Sequence, residues 1–364
     1  MKNNSPKRIT FVVGYLSAGG AERVISLLAN ALVASGYSVS FIYLKKKEDF
    51  YRLDKRVNKH YLDISNDSNN LIHGLINTRK RVYKLRNKIK QIHSDIVISF
   101  MTDLNVLSIL ACLGTNVLVI VSERTNPYRS KIPFRWKIAA RIFYRYASKL
   151  VLQTERVKEF YKYISASKLE VIPNPLKEIG KIQTKKEKVI LAVGRLEYPK
   201  GYDMLIEAFS CSRAKEEWKL IIAGEGRERD KLEQLAVEYN ISSGVNLTGW
   251  QESIDELYAR ASVFVLSSRY EGFPNSLAEA MSAGLPCISF DCDFGPAEMI
   301  RHDVNGILVE PGNVEKLADE IDLLAADESE RNRLGRKATE IKKELNLESI
   351  TLKWENVFFE LWNS

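Results

Sequence analysis

Short runs of β-branched and aromatic residues alternate with helical stretches along the chain, and this alternation most constrains the fold. The strand-like runs of the first half are 9–13, 38–43, 96–100, 117–121 and 149–153. A helical pattern over 21–35 follows the first of them. Strands that alternate with helices build a parallel sheet with helices on its faces. The first half is therefore predicted to form an α/β domain.

The same alternation restarts after Pro173-Asn174-Pro175. The later strand-like runs are 189–193, 219–223, 245–248, 263–266, 287–290 and 306–309. A Pro-Asn-Pro segment suits neither a helix nor a central strand, so we expect a linker there and two domains, 1–175 and 176–346. The C-terminal helical pattern, 347–364, has an apolar face, and we expect it to pack back on the first domain.

The composition is that of a soluble globular protein, with 45% hydrophobic and 27% charged residues. The polar N-terminus and the short run 9–13 predict neither a signal peptide nor a membrane span. The cysteines lie at Cys112, Cys211, Cys287 and Cys292. Because they form no metal-ligand pattern, we expect buried thiols in a reducing cytoplasm.

Charge is distributed unevenly along the chain. Residues 1–175 hold 30 Lys and Arg against 12 Asp and Glu, whereas residues 176–364 hold 24 against 34. Basic residues of the first half cluster in two helical stretches: Arg79, Lys80, Lys84, Lys137, Arg141 and Arg145, with Lys149 continuing the second. Basic amphipathic helices bind anionic lipid, so we predict docking on the inner face of the cell membrane. Core-packed helices with solvated outer faces are the alternative, and the absence of a recognisable module argues against nucleic acid.

Two glutamates, Glu271 and Glu279, flank a turn that leads into a predicted helix. The turn and the helix start comprise Phe273, Pro274, Asn275 and Ser276. A helix N-terminus attracts anions through its free N–H groups and its dipole. An anion between two hydroxyl-binding acids describes a nucleotide-sugar, with its diphosphate, ribose and hexose. The alternative is a surface helix with two ordinary glutamates.

Glycine-rich loops follow several predicted strands. Arg195 and Lys200 lie on one such loop at a strand's carboxyl end, where open α/β sheets bind ligands, and both cations suit phosphate. The Gly19-Gly20 pair before the first helix permits close approach of a phosphate. Gly224 and Trp250 are candidates for the edge of a base and ribose pocket. For Arg195 and Lys200 the alternative is a solvated basic loop. For the Gly19-Gly20 pair it is a plain turn between strand and helix, and for Trp250 it is a packing role.

This ordered set of motifs closely resembles glycosyltransferase family 4, whose members are retaining enzymes of the GT-B fold. The resemblance runs over nearly the whole chain, and 16–24 and 121–127 are similar to a bacterial subgroup that extends lipid-linked glycans. It implies two Rossmann-like domains that face each other across a cleft. Domain 1–175 would then take the acceptor, and domain 176–346 would bind the nucleotide-sugar donor.

The resemblance also implies roles for individual residues. Arg195 and Lys200 would bind the donor diphosphate and stabilise the leaving group, Glu271 would contact sugar hydroxyls, and Glu279 would hold the ribose. The Gly19-Gly20 pair would shape the phosphate side from the other domain. These roles agree with physics, because a departing nucleoside diphosphate develops negative charge that cations and a helix dipole stabilise.

No metal or cofactor is expected, since the nucleotide-sugar is a substrate and the sequence has no evident Asp-x-Asp pair. In the family's favoured mechanism the donor phosphate serves as the base. Many relatives place a histidine after an early strand, but none of the histidines here (His60, His73, His93 and His302) stands there. Asp103, Glu123 and Arg124 are the candidates for acceptor or sugar contacts, with capping or salt bridging as the alternative.

We therefore expect a peripheral cytoplasmic enzyme. It would move a hexose or N-acetylhexosamine from a UDP-sugar, with a GDP-sugar not excluded, to a polyprenyl-diphosphate-linked saccharide in O-antigen, capsule or related synthesis. A nucleotide-sugar 2-epimerase of the same fold is one alternative, although it should carry its own acid–base histidine. A non-catalytic membrane-associated assembly subunit is the other.

Overall fold

A computed structural model describes residues 7–17, 19–64, 71–129, 132–177, 180, 182, 184–251 and 253–363, and of 71–76 the backbone alone. The chain divides into two compact units. Unit 1 comprises Met1–Pro175 with Leu347–Ser364, and unit 2 comprises Leu176–Asn346.

Unit 1 alternates strands and helices from its first strand onward. Its elements are β1 (Arg8–Val13), α1 (Gly20–Ala34), β2 (Ser38–Tyr43), β3 (Asn58–Tyr61), α2 (Leu71–Gln91), β4 (Ile96–Phe100), α3 (Thr102–Cys112), β5 (Leu118–Ser122), α4 (Phe134–Phe143), β6 (Lys149–Leu152) and β7 (Leu169–Val171). Within the described residues the strands form one seven-stranded sheet in the order β3-β2-β1-β4-β5-β6-β7. Every pairing in it is parallel.

The central strands of this sheet are almost wholly buried, which explains their continuous apolar sequences. Ile9 of β1 pairs in register with Val39 of β2 and with Ile96 of β4. The edge strands β3 and β7 are different: β3 reads Asn-Lys-His-Tyr and β7 has only three residues. The sequence pattern did not predict these two strands, because neither carries a buried apolar run.

The C-terminal helix, α13 (Leu347–Asn363), belongs to unit 1 and packs against α1. Trp354 is fully buried, with its ring centroid 6.2 Å from that of Phe100, and Phe358 lies edge-on to Tyr37 at 6.0 Å. The apolar face of α13 therefore completes the core of unit 1.

Unit 2 repeats the same architecture. Its elements are β8 (Val189–Val193), α5 (Tyr202–Cys211), β9 (Lys219–Ala223), α6 (Arg229–Glu238), β10 (Val245–Gly249), α7 (Asp255–Arg260), β11 (Val263–Leu266), α8 (Asn275–Ser282), β12 (Cys287–Phe290), α9 (Pro296–Met299), β13 (Ile307–Val309), α10 (Val314–Ala326), α11 (Glu328–Ala338) and α12 (Ile341–Leu345). The described strands form a parallel sheet in the order β10-β9-β8-β11-β12-β13.

Both sheets reverse their strand order at one point, between β1 and β4 in unit 1 and between β8 and β11 in unit 2. In open α/β sheets, ligands bind outside the carboxyl ends of the strands at such a switch point. The predicted fold class, two Rossmann-like α/β domains, is confirmed. One minor expectation was wrong: Cys211, at the end of α5, is exposed, whereas Cys112, Cys287 and Cys292 are buried.

No described helix has the length and apolarity needed to cross a bilayer.

Candidate functional site

An ion pair spans the switch point of unit 2. The ammonium of Lys200, on the loop after β8, lies 2.6 Å from Oε1 of Glu271, on the loop after β11. Only 18% of the Lys200 side chain and 9% of the Glu271 side chain are exposed. The hydroxyl of Ser268 also donates to Oε1 of Glu271, at 2.7 Å. A cation and a carboxylate from the two motifs singled out in the sequence thus meet at one position.

Glycines let these two loops approach each other. Gly201 has φ +62°, and a Cβ on it would lie 2.1 Å from the carbonyl oxygen of Ser267. A Cβ on Gly194 would lie 2.8 Å from the Tyr202 hydroxyl and 3.2 Å from Cε of Lys200. Any larger residue at either position would push the loops apart. The aliphatic stem of Lys200 therefore runs beside Gly194, and its ammonium reaches Glu271.

Arg269 fixes the turn that carries Lys200. Its guanidinium binds both carboxylate oxygens of Asp203, at 2.8 and 2.7 Å, and stacks over the Tyr198 ring at 4.2 Å. It also donates to the Tyr198 carbonyl, and its backbone N–H donates to the Pro199 carbonyl. Burial raises the pKa of Asp203, but the hydrogen bonds from Arg269 more than offset this and leave it below its usual value. The sequence did not single out Arg269, although it stands two residues before Glu271.

The carboxyl ends of β8, β9 and β10 converge through three glycines. The N–H of Gly224 donates to the carbonyl of Gly249 at 2.9 Å, and a Cβ on Gly224 would lie 1.9 Å from the carbonyl oxygen of Gly194. Arg195 follows Gly194 and is exposed, and its guanidinium has no ion-pair partner among the described residues. Trp250 follows Gly249 and is 61% exposed, which argues against the alternative that it packs in the core. Arg195 and Trp250 are both open to a ligand.

Glu279 is buried on α8, which begins at Asn275 as predicted. The hydroxyl of Tyr258, on α7, donates to Oε2 of Glu279 at 3.1 Å. Pro274 precedes the helix and packs so closely on Gly295 that a Cβ there would lie 2.3 Å from Cδ of Pro274. The flanking Phe273 and Ser276 are half-buried. The carboxylate is buried and hydrogen-bonded to Tyr258, a contact that the sequence did not indicate.

Two further side chains surround Glu271 and were missed in the sequence. Burial, and then the charge of Glu271, raise the pKa of the Cys292 thiol to about 12, so it stays neutral. The same two causes raise the pKa of Tyr202 far above its usual value. The Tyr202 hydroxyl is buried without a hydrogen-bond partner among the described residues. A neutral thiol and a neutral hydroxyl thus lie near Glu271, and the burial of the Lys200–Glu271 pair strengthens its electrostatics.

In unit 1, Gly19 and Gly20 stand at the start of α1, where the chain supplies its own anion. Glu22 lies in the first turn, and a Cβ on Gly19 would lie 2.2 Å from its Oε2. The Ser17 hydroxyl donates to Oε1 of Glu22 at 2.8 Å. A carboxylate so close to the helix N-terminus would repel a phosphate there. A phosphate could bind at this position only if Glu22 moved away.

Of the acceptor candidates, Glu123 is buried and accepts hydrogen bonds from Thr102, at 3.0 Å, from Asn105, at 3.3 Å, and from the Tyr144 hydroxyl. Burial raises its pKa, and these hydrogen bonds offset part of the rise. Asp103 lies in the first turn of α3 and is half-buried. Glu123 is thus held in a network of neutral donors and forms no salt bridge with described residues.

Arg124 is half-buried and packs into unit 1. Its guanidinium lies over the Phe100 ring at 4.8 Å and donates to Oδ1 of Asn174 at 2.6 Å. Desolvation lowers its pKa to about 9, against the opposing effect of Glu123. Two of its nitrogens, Nε and Nη2, are buried without a partner among the described residues. The charge of Arg124 is therefore poorly solvated, and a bound anion would stabilise it.

The basic residues predicted to face a membrane are exposed: Arg79, Lys80 and Lys84 on α2, and Lys137, Arg141 and Arg145 in or just after α4. Lys149 is an exception, and its assignment to the helical row was wrong. It begins β6 and its ammonium pairs with Glu360 of α13 at 2.9 Å, because the helix ends at Phe143. We call Lys137, Arg141 and Arg145 the α4 cation row.

Among the described residues, no group of three or more His, Cys, Asp or Glu is arranged to hold a metal ion.

Family models match the two units in turn. The model described as Glycosyltransferase Family 4 matches residues 18–177, and the model described as Glycosyl transferases group 1 matches residues 177–341. A glycosyltransferase of Methanocaldococcus jannaschii is 31% identical over 298 residues, which cover 72% of this chain and 73% of that protein. The chain belongs to glycosyltransferase family 4.

Two further comparisons extend the match over nearly the whole of this chain. An N-acetyl-D-galactosaminyltransferase of Campylobacter jejuni is 29% identical over 363 residues, which cover 98% of this chain and 99% of that protein. The name of that enzyme specifies an acceptor that is linked to undecaprenol through a diphosphate. The structure of Anabaena HepE in complex with UDP superposes with a TM-score of 0.77 at 17% identity, over 97% of this chain and 100% of that one. The HepE similarity establishes the shared fold.

Proposed function

We propose that this glycosyltransferase binds a UDP-sugar in unit 2 and transfers its hexose or N-acetylhexosamine, with retention, to a polyprenyl-diphosphate-linked saccharide. The observation that carries the proposal is the Lys200–Glu271 pair at the switch point, with an unpaired guanidinium, Arg195, on the same loop. A diphosphate needs cations and a sugar needs hydroxyl acceptors. Here both are supplied at the strand ends where such sheets bind ligands.

The chemistry assigns each group a task. Arg195 and Lys200 neutralise the diphosphate, and the free N–H groups at the start of α8 add to their effect. Glu279, fixed by Tyr258, accepts hydrogen bonds from the ribose hydroxyls. Glu271 receives both of its described hydrogen bonds on Oε1, so Oε2 is left to accept from a hydroxyl of the donor sugar.

The transfer step needs no nucleophile from the protein. The bond between the anomeric carbon and the diphosphate oxygen breaks, and an acceptor hydroxyl forms the new bond on the same face. The proton of that hydroxyl passes to the departing phosphate oxygen. Charge grows on the leaving diphosphate as the bond breaks, so Arg195 and Lys200 stabilise the transition state more than the ground state. We propose that no metal ion takes part.

The lipid-linked acceptor and the membrane location are supported by the surface of α4 and the residues after it. Four large apolar side chains are exposed at intervals of four residues: Phe134, Ile138, Ile142 and Tyr146. We call them the α4 apolar stripe. They accompany the α4 cation row, and this combination is typical of helices that lie in the interface of an anionic bilayer. The sequence indicated the cations but not the stripe.

UDP as the nucleotide is supported by the resemblance to bacterial enzymes that extend lipid-linked glycans, and the HepE structure has the same fold with UDP bound. The Campylobacter relative supports an N-acetylhexosamine donor and an undecaprenyl-diphosphate-linked acceptor.

A donor panel tests the proposal. Purified protein is incubated with individual UDP- and GDP-sugars and short prenyl-diphosphate saccharides, and nucleotide release and glycan mass are measured. We expect UDP to be released only when the acceptor is present. NMR of the product should show that the new linkage has the same anomeric configuration as the donor sugar. An epimerised sugar without an acceptor would favour the 2-epimerase, and no turnover with any donor would favour an assembly subunit.

A further inference from the structure

A pocket of about 200 Å³ lies in unit 1 behind α4. Its walls are formed by α4, by the segment around 160–163, by the start of α3 and by the segment after β5, and we call it the α4 pocket. The lining residues that matter here are Phe134, Lys137, Ile138, Arg141, Phe160 and Tyr163. Most of the lining surface is apolar, so the pocket suits a hydrocarbon better than a sugar.

The pocket is continuous with the α4 apolar stripe. Phe134 and Ile138 belong to both: each lines the pocket, and their side chains are 76% and 44% exposed. The stripe and the pocket therefore share two apolar side chains, which link the exposed stripe to the apolar interior of the pocket.

Cations stand beside this apolar interior. Lys137 and Arg141 line the pocket, and neither forms an ion pair with a described carboxylate. The Arg141 guanidinium stacks on the Tyr163 ring at 4.6 Å, which orients it. Glu123 is the acid in the lining, and the hydroxyls of Thr102 and Tyr144 and the amide of Asn105 already bind its carboxylate.

An apolar interior beside two unpaired cations matches an anionic amphiphile. We propose that the α4 pocket receives the phosphate-proximal isoprene units of a polyprenyl diphosphate, while Lys137 and Arg141 bind its diphosphate. This inference rests on the proposed lipid-linked acceptor and names the place where its lipid end is held. The pocket would then draw the acceptor out of the bilayer and fix the start of its saccharide.

Farnesyl diphosphate is the probe, used below its micellar concentration and without vesicles or donor. Calorimetric titration compares it with inorganic pyrophosphate. Each methylene withdrawn from water improves affinity about fourfold, so we expect farnesyl diphosphate to bind at least about 100-fold more tightly than pyrophosphate.

Three variants locate the binding site. Ala140→Phe fills the pocket from its buried wall and should weaken binding by about tenfold or more. Lys137→Gln and Arg141→Gln remove the diphosphate contacts and should each weaken binding about five- to tenfold. Arg135→Gln is the matched control, because Arg135 is an exposed cation of α4 outside the pocket lining and should leave binding unchanged.

Equal binding of pyrophosphate and farnesyl diphosphate would overturn the inference, because the pocket would contribute nothing. Equal effects of Arg135→Gln and Arg141→Gln would also overturn it, since binding would then depend on general surface charge. If a methyl glycoside bound saturably and Ala140→Phe abolished that binding, the pocket would be a saccharide site and the inference would be wrong. Thermal melting shows whether Ala140→Phe is folded, and the exposed charge variants decide the matter if it is not.

This test is independent of the transfer reaction. UDP binding to unit 2 is titrated on the same preparations. Intact UDP binding without farnesyl diphosphate binding would refute the pocket alone. Farnesyl diphosphate binding without turnover of any nucleotide-sugar would refute the proposed transfer and leave the pocket standing.

Discussion

Substituting Lys200 with methionine removes a charge from the switch point of unit 2 while keeping the length of the side chain. Glu271, 9% exposed, would then retain only the Ser268 hydroxyl as a described donor. At 2.6 Å and an effective dielectric constant of about 20, the attraction between the two charges is about 6 kcal/mol before desolvation is subtracted. Removing one partner of a buried pair costs about 3–5 kcal/mol. Because Lys200 is 18% exposed, we expect a smaller loss, about 2–3 kcal/mol.

A double-mutant cycle measures this effect. Lys200→Met, Glu271→Gln and the double variant are compared with the wild type by calorimetry and by hydrogen exchange of the peptides that contain β11 and α8. A domain of this size loses about 2–4 °C of melting temperature per kcal/mol, so Lys200→Met should melt roughly 4–12 °C lower. The double variant should recover about half of the loss, since no charge is then left buried and unpaired.

Lys188→Met is the matched control. Lys188 pairs with Glu217 on the surface of the same unit, where both side chains are well exposed, so its loss should leave the melting temperature almost unchanged. Equal effects of Lys200→Met and Lys188→Met, or an additive double variant, would refute the idea that burial makes the Lys200–Glu271 pair special.

Three further changes have defined outcomes. Gly224→Ala should lower the free energy of unfolding by at least about 2 kcal/mol in urea titration, because φ is +149° and the new Cβ would lie 1.9 Å from a carbonyl oxygen; an unchanged midpoint would contradict this. Replacing Lys137, Arg141 and Arg145 together by glutamine should weaken sedimentation with phosphatidylglycerol vesicles at least tenfold, at about 1 kcal/mol per cation, and lessen its salt dependence; unchanged sedimentation would show that α4 does not meet the lipid. Burial raises the pKa of Glu123, so the folded protein binds a proton at this residue more tightly than the unfolded chain does. The free energy of unfolding of the wild type, relative to that of Glu123→Gln, should therefore fall as the pH rises above 4.5. A constant difference between the two proteins from pH 4.5 to 8 would refute that shift.

The sequence sufficed for the central strands, because they are covered on both faces and read as continuous apolar runs. β2, β4, β8 and β9 begin and end at the predicted residues. The edge strands β3 and β7 carry no such signal, since backbone pairing with one neighbour rather than side-chain burial makes them strands. The linker prediction at 173–175 used proline chemistry alone, and the two units divide after Pro175.

Candidate site residues could be chosen from the sequence where the chemistry lies in a local motif. Lys200 and Glu271 each follow a strand, and the strand order brings their loops together, although no local pattern indicates that they pair directly. Arg269, Tyr258 and Cys292 were missed because their roles depend on contacts between segments distant in the chain. An arginine in a loop is ordinary until its partner is known.

Helix α4 shows a different limit. Its sequence has apolar residues on more than one face, with Trp136 and Phe143 on one side and Ile138 and Ile142 on another. In the structure Trp136 and Phe143 are half-buried, while Ile138 and Ile142 are exposed. Periodicity reports that a face is apolar, but only packing decides which face the protein covers.

The turnover of Arg195→Ala tests most directly whether the donor diphosphate binds at the switch point of unit 2. The Arg195 guanidinium is exposed and forms no ion pair with described residues, so its loss should leave the melting temperature unchanged. Transfer from the UDP-sugar to the lipid-linked acceptor should fall at least about 100-fold in kcat, the usual effect of removing one group that stabilises a leaving charge. Arg213→Ala, an exposed arginine that precedes β9, is the control. A rate within about twofold of the wild type would contradict the assignment of the diphosphate to the switch point of unit 2.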